Sequence, residues 1–226
     1  MTTKHDDDLI AMLLGDRRPS LELERWLETS AGKRELAAYR RVLDTLTALR
    51  DAPPAIAATA YYADLATPVG RVLVAATDAG LVRVSFRQSE ASFAHELRAG
   101  LGLHPVRSST RTTEIVRQLR AYFAGTRRRF DVRVDLSRLT PFHRQVLEAT
   151  AEVPPGQVVS YGEIARRIGR ASGSRAVGQA LGRNPVPIVI PCHRVVAAGG
   201  RLGGYTGGLA IKKKLLRLEG TMAAAG

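Results

Sequence analysis

The chain has 226 residues, enough to bury a core and to hold one large or two modest domains. Hydrophobic residues make up 45% and charged residues 24%, an ordinary globular balance, and no apolar run reaches the roughly 18–20 residues that cross a bilayer. The net charge of +13 is unevenly placed: residues 1–55 carry 9 Lys/Arg against 10 Asp/Glu, and after Ser160 eleven Lys/Arg face only Glu163 and Glu219.

Residues 6–50 read as three short helices. Asp6–Asp8 can cap the first and Gly15 ends it; Ser20 starts a second with Leu23, Trp26 and Leu27. The third runs from about Lys33 to Arg50, with Leu36, Tyr39, Leu43 and Leu46 at three- and four-residue steps. Pro53 and Pro54 in an Ala-rich stretch read as a linker. Residues 1–55 thus form a helical extension apart from the rest. From residue 60 the period changes: residues 71–75 and 81–86 flank the Asp78-Ala79-Gly80 turn as a hairpin, and residues 61–66 add a strand, giving a small antiparallel sheet. Helices follow near 90–100 and 111–124, a further strand at 130–134, and a helix opened by Pro141. Ser160 with Glu163 has capping-box spacing. The helix it opens, the Gly/Ser turn at 169–174 and a second helix from Arg175 to Arg183 fit a helix-turn-helix. Small Ala176, Gly178 and Ala180 would let that second helix lie close in a groove. The basic field around it attracts a polyanion, which makes DNA the favoured partner. The expected class is therefore α/β (α+β): an N-terminal domain over 56–137 and a mostly helical domain over 138–226. Residues 1–8 are polar and acidic rather than a secretory signal, so a cytoplasmic protein is expected, nucleoid-associated in a bacterium.

A single cysteine, Cys192, excludes an internal disulfide and a Cys-rich zinc site, and leaves either a buried small hydrophobe or a nucleophile. Residues 188–190 read as a short buried strand stopped by Pro191, which puts Cys192 at a strand exit. An ordinary thiol, with pKa about 8.5, is only slightly ionised at neutral pH. His193 can take its proton, Arg194 and the basic field favour thiolate, and Glu219 is one of two acids left to orient the imidazole. Neighbouring side chains on an extended strand point oppositely, so His193 needs a bend or a bridging water to reach sulfur.

Asn184-Pro185, Pro191-Cys192-His193-Arg194 and the 203–208 segment Gly-Gly-Tyr-Thr-Gly-Gly, with Ser160-Tyr161 and the 174–178 segment Ser-Arg-Ala-Val-Gly, resemble the O6-alkylguanine-DNA alkyltransferase family over residues 61–219. The resemblance implies a ribonuclease H-like N-terminal domain and repair by direct reversal. An alkyl group would pass from O6-alkylguanine, and by extension O4-alkylthymine, in double-stranded DNA to Cys192, consuming the protein without a cofactor or metal. It implies His193 as base through water, Glu219 as its orienter, and Asn184 as organiser of the turn before the cysteine. Tyr161 would donate to guanine N3, Val195 would offer its carbonyl to the exocyclic amine, and Tyr205, Thr206 and Gly207 would line the base pocket beside Arg194. Ser174, Arg175, Ala176 and Gly178 would enter the minor groove, with Arg175 filling the stack vacated by a flipped base. Two rival readings remain open: a binder of alkylated DNA that transfers nothing, which Cys192 opposes, and a thiol hydrolase, which leaves the basic helix-turn-helix unexplained. Residues 1–50 fall outside the resemblance, and a protein partner or self-association is expected of them.

Overall fold

The computed structural model describes residues 5–13, 18–51 and 57–221; the expected stop at Gly15 and the linker at 52–56 lie outside them. The chain divides into two units between Ile56 and Ala57. The first contains α1 (Asp6–Leu13), α2 (Leu21–Leu27) and α3 (Ser30–Asp51). Ser20 Oγ caps α2 by accepting from the Leu23 amide at 3.1 Å. α3 begins earlier than the periodicity suggests, because Thr29 Oγ1 accepts from the Gly32 amide at 3.0 Å. A Cβ on Gly32 would sit 2.2 Å from the Trp26 carbonyl oxygen, so only glycine lets α3 start against α2. Leu9 and Leu23 are fully buried in this unit.

The second unit opens with β1 (Thr59–Thr67), β2 (Gly70–Thr77) and β3 (Gly80–Phe86), antiparallel as expected. β4 (His104–Arg107) then pairs parallel with β1, so the sheet is mixed, in the order β3-β2-β1-β4. A parallel partner requires a crossover, supplied by α4 (Glu90–His95) and the π-helical turn Glu96–Gly100. Both faces of the sheet are covered. Val72 and Val74 join a core with Ile115 and Leu119 of α5 (Ser109–Phe123), while Leu73 and Ala75 pack with Phe93, Leu97 and Leu103. That explains why β2 reads as a continuous apolar run rather than an alternating one.

The expected strand at 130–134 is an extended arm instead. It makes one bridge, Val134 to Leu81, where the Leu81 amide donates to Arg133 O at 2.8 Å. Gly80, at φ 140°, lets the arm approach: a Cβ there would lie 2.6 Å from that same carbonyl.

α6 (Pro141–Ala151) is capped by Thr140, with Pro141 in its first turn. β5 (Val159–Ser160) leads straight into α7 (Tyr161–Arg167), and α8 (Ser174–Gly182) completes the helix-turn-helix. Only half of the capping box forms: Ser160 Oγ accepts from the Glu163 amide at 3.1 Å, while the Glu163 carboxylate goes to Arg166 and Arg167. Ala180 is buried with Val177 and Leu181, so it serves the core rather than a groove.

Residues 188–190 do not form the expected strand. Pro185, Pro187 and Pro191 supply no amide donors, and the chain turns, with Ile188 at φ 76°. A β-branched residue there stores strain of order 1–3 kcal/mol. Burial of Val186, Ile188 and Ile190 in the core offsets it. The turn delivers a short 3₁₀ helix, Cys192–Arg194, then β6 (Val195–Val196), which pairs parallel with β5 and ties the cysteine to the start of α7. α9 (Leu209–Leu218) closes the unit. Among the described residues no helix is long and apolar enough to cross a membrane.

Candidate active site

Cys192 is 4% exposed and lies at the base of a cleft of about 880 Å³ walled by α7, α8 and the 197–206 loop. The buried Asn184 holds the turn together from inside. Its side-chain amide donates to Ile190 O at 3.0 Å and to Cys192 Sγ at 3.1 Å, and its oxygen accepts from the Val186 amide at 3.0 Å. That side chain makes the hydrogen bonds that a proline-rich turn cannot make for itself.

Behind the cysteine, His193 Nε2 meets Glu219 Oε1 at 3.0 Å, with both side chains fully buried. Arg194 forks onto the same carboxylate, Nε to Oε2 and Nη2 to Oε1, each at 2.8 Å, and its Nη1 donates to Val153 O at 2.5 Å. The Tyr122 hydroxyl adds a fourth bond, to Oε1 at 2.8 Å. Burial pushes against the charge on Glu219, yet donation from His193 and Arg194 prevails and holds the carboxyl well below the usual range. Burial pulls His193 down, only partly countered by Glu219, so the resting imidazole is neutral and able to accept a proton. Nδ1, its other ring nitrogen, is buried and has no hydrogen-bond partner among the described residues.

The resting thiol is neutral too. Burial pushes Cys192 up to about 11, against the Asn184 amide and the Lys212 charge, which both favour thiolate. Arg194 does not supply that help, contrary to expectation: it is 4% exposed and spends its guanidinium on Glu219 and Val153, which also removes it from base contact. Val195 is likewise fully buried, and its carbonyl accepts from Lys212 Nζ at 2.6 Å rather than facing the cleft.

Tyr161, first in α7, is half-buried on one wall, its hydroxyl 3.5 Å from Gly204 O. Ser174, Arg175 and Gly178 line the α8 side; Ala176 is exposed on the same helix but outside the cleft. Tyr205 and Thr206 line the opposite side, where Thr206 Oγ1 donates to Gly182 O at 3.3 Å. Two of the glycines beside them, Gly203 and Gly207, are required by protein packing. A Cβ on Gly203 would lie 2.6 Å from the Tyr161 hydroxyl, and one on Gly207 would lie 2.9 Å from the Phe86 ring.

Two family models cover the second unit: the 6-O-methylguanine DNA methyltransferase ribonuclease-like domain over residues 60–136 and its DNA binding domain over 141–221. The chain is 42% identical over 161 residues to the methylated-DNA–protein-cysteine methyltransferase of Methanosarcina acetivorans, covering 71% of this chain and 99% of that one. This chain belongs to the O6-methylguanine-DNA methyltransferase family. A relative of the same name from Mycobacterium tuberculosis is 51% identical over 110 residues, 49% of this chain and 66% of its own. The crystal structure of the M. tuberculosis O6-methylguanine methyltransferase superposes with a TM-score of 0.62 at 38% identity, covering 74% of this chain and 97% of that one. Its complex with DNA gives 0.61 at 37% identity, covering 73% and 96%.

Within this methyltransferase, sequence reasoning missed two residues. Lys212 of α9 is fully buried and donates to the carbonyls of Val195, Leu202 and Gly204, the last at 3.2 Å, pinning the loop that walls the cleft. Burial draws its pKa down to about 8. The signal was present: Lys212 stands in the apolar stripe of Ile211, Leu215 and Leu216, where a solvated lysine has no place. Tyr122 is the other: it falls in the helix expected near 111–124, and a buried phenol there requires a partner for its hydroxyl.

Proposed function

We propose that this protein repairs DNA by moving an alkyl group from O6 of guanine onto Cys192, which the reaction consumes. The observation that carries the reading is the lone cysteine at the base of the cleft, bonded by Asn184 and backed by the buried His193–Glu219 pair. His193 Nδ1 takes the thiol proton through a water, and Glu219 steadies the imidazolium that forms. The Asn184 amide and the Lys212 charge stabilise the sulfur anion. Sulfur then attacks the alkyl carbon in line: the S–C bond forms, the C–O6 bond breaks, and its electron pair leaves with guanine. Tyr161 meets that leaving base with its hydroxyl proton.

A base still stacked in duplex DNA cannot reach a sulfur so buried, so the damaged nucleotide turns out of the helix into the cleft. Arg175, exposed at the start of α8, enters the minor groove and fills the gap. The thioether has no second cysteine in the chain to relieve it, so one molecule repairs one lesion.

The test is intact-mass analysis after incubating excess protein with duplex DNA containing O6-methylguanine. The expected result is one added methyl group, mapped to Cys192 and absent in Cys192→Ala. Unchanged mass alongside intact lesion would overturn the proposal.

A further inference from the structure

We propose that Tyr122 is a positioning residue for the transfer: from the ribonuclease-like half of the chain it holds the one Glu219 oxygen that also receives His193, and so tunes the base that deprotonates Cys192. The inference rests on the reading of His193 as that base.

Tyr122 belongs to α5, 97 positions from Glu219, and its ring is 1% exposed. The ring packs on Phe123 and Phe130, with centroids 5.4 Å apart in each pair, so its direction is fixed without the hydroxyl. The hydroxyl donates to Oε1, the atom shared by His193 Nε2 and Arg194 Nη2. A second group from the same half supports this end of α9: Arg128 Nη1 donates to Leu218 O at 2.7 Å, one residue before the carboxylate. None of these contacts touches the cleft; they reach the chemistry from behind the relay, whereas Phe86 of the same half packs on Tyr205 at the cleft itself.

The physical consequence has a sign. Burial and the nearby Glu219 charge raise the Tyr122 phenol, so it remains protonated and acts only as a donor. Each donor on Oε1 draws charge from the oxygen that must steady the His193 imidazolium. Tyr122 therefore weakens His193 as a proton holder while fixing the carboxylate's direction. Arg194 keeps Glu219 oriented if the hydroxyl is removed. The other charged or titratable groups facing the relay are Lys212, Cys192, Tyr205 and Arg128, and none of them bonds to the carboxylate.

The experiment compares wild type with Tyr122→Phe in single-turnover methyl transfer from O6-methylguanine duplex between pH 5 and 9. Iodoacetamide alkylation, which reads only Cys192 among cysteines, runs in parallel. The acid limb of the transfer profile is expected to move up by about half a pH unit or more in Tyr122→Phe, because His193 keeps its proton longer. Substituting 3-fluorotyrosine at position 122, a stronger donor of nearly the same shape, should move it down and covers the case in which Tyr122→Phe folds poorly. In a Glu219→Gln background, Tyr122→Phe should no longer shift the limb. A uniformly slower rate with an unmoved limb in both substitutions would overturn the role and leave Tyr122 as packing. Failure of wild type to gain a methyl group would instead overturn the proposed function itself.

Discussion

At the scale of single residues, the site works by hydrogen-bonding its buried charged groups while leaving the nucleophile uncharged. Glu219 collects four hydrogen bonds and Lys212 three, whereas Cys192 rests as a thiol. Among the described residues Lys212 has no carboxylate partner, which makes it the most exacting test of this arrangement. In Lys212→Met the Val195 carbonyl would be left buried and unpaired, at about 1–3 kcal/mol of stability. Thermal unfolding should show this as a Tm lower by several degrees. Loss of the cation beside sulfur should slow methyl transfer roughly tenfold or more, the equivalent of about one pKa unit on the thiol. A variant that transfers at the wild-type rate would show that Lys212 only pins the loop. Cys192, His193 and Glu219 were legible in the sequence through the family resemblance, since their local chemistry left Cys192 as either a buried hydrophobe or a nucleophile. Lys212 and Tyr122 were not, since their roles depend on which carbonyls and which carboxylate the fold brings to them.

Helices and turns carry the next level. The helix-turn-helix was readable from its cap, its glycine turn and its basic face, and α7 and α8 form close to the expected limits. The turn at 188–191 was not. Its apolar run matches a buried strand, and only the three prolines and the Asn184 bonds show why it cannot be one. At this scale Arg175 is the informative side chain, exposed at the start of α8 and on the rim of the cleft. Arg175→Ala is expected to slow repair of O6-methylguanine in duplex at least about tenfold, a loss of roughly 1.4 kcal/mol of transition-state stabilisation. Reaction with free O6-benzylguanine, which needs no extrusion, should change much less. Equal losses on the two substrates would count against a role in base flipping.

The whole molecule joins its two methyltransferase halves through buried polar groups as well as apolar packing. One core runs from Val72 and Val74 through Leu119 to Val177, Ile188 and Leu215, and the Tyr122–Glu219 bond crosses it. Acid should therefore loosen the fold from the relay outward. Glu219, depressed in the folded state, contributes stability that is full above its unfolded pKa near ~4.3 and is lost as pH falls toward its folded value. His193, buried and neutral, acts in the same direction from about pH 6.5 downward, because unfolding lets it take up a proton. Urea midpoints measured from pH 7 to pH 3 should fall continuously for wild type, and its advantage over Glu219→Gln should shrink below about pH 4. A constant advantage across that range would contradict the assignment. By itself the sequence determined the basic helix-turn-helix and the separate N-terminal helices, which follow from local spacing and side-chain chemistry, and, through the family resemblance of its motifs, the reactive cysteine and its immediate partners. Only the tertiary structure decided the parallel β4, the turn in place of a strand before Cys192, the removal of Arg194 and Val195 from the cleft, and the recruitment of Tyr122 and Lys212. Each of those depends on which buried donors and acceptors meet across distant parts of the chain, and no local pattern records that pairing.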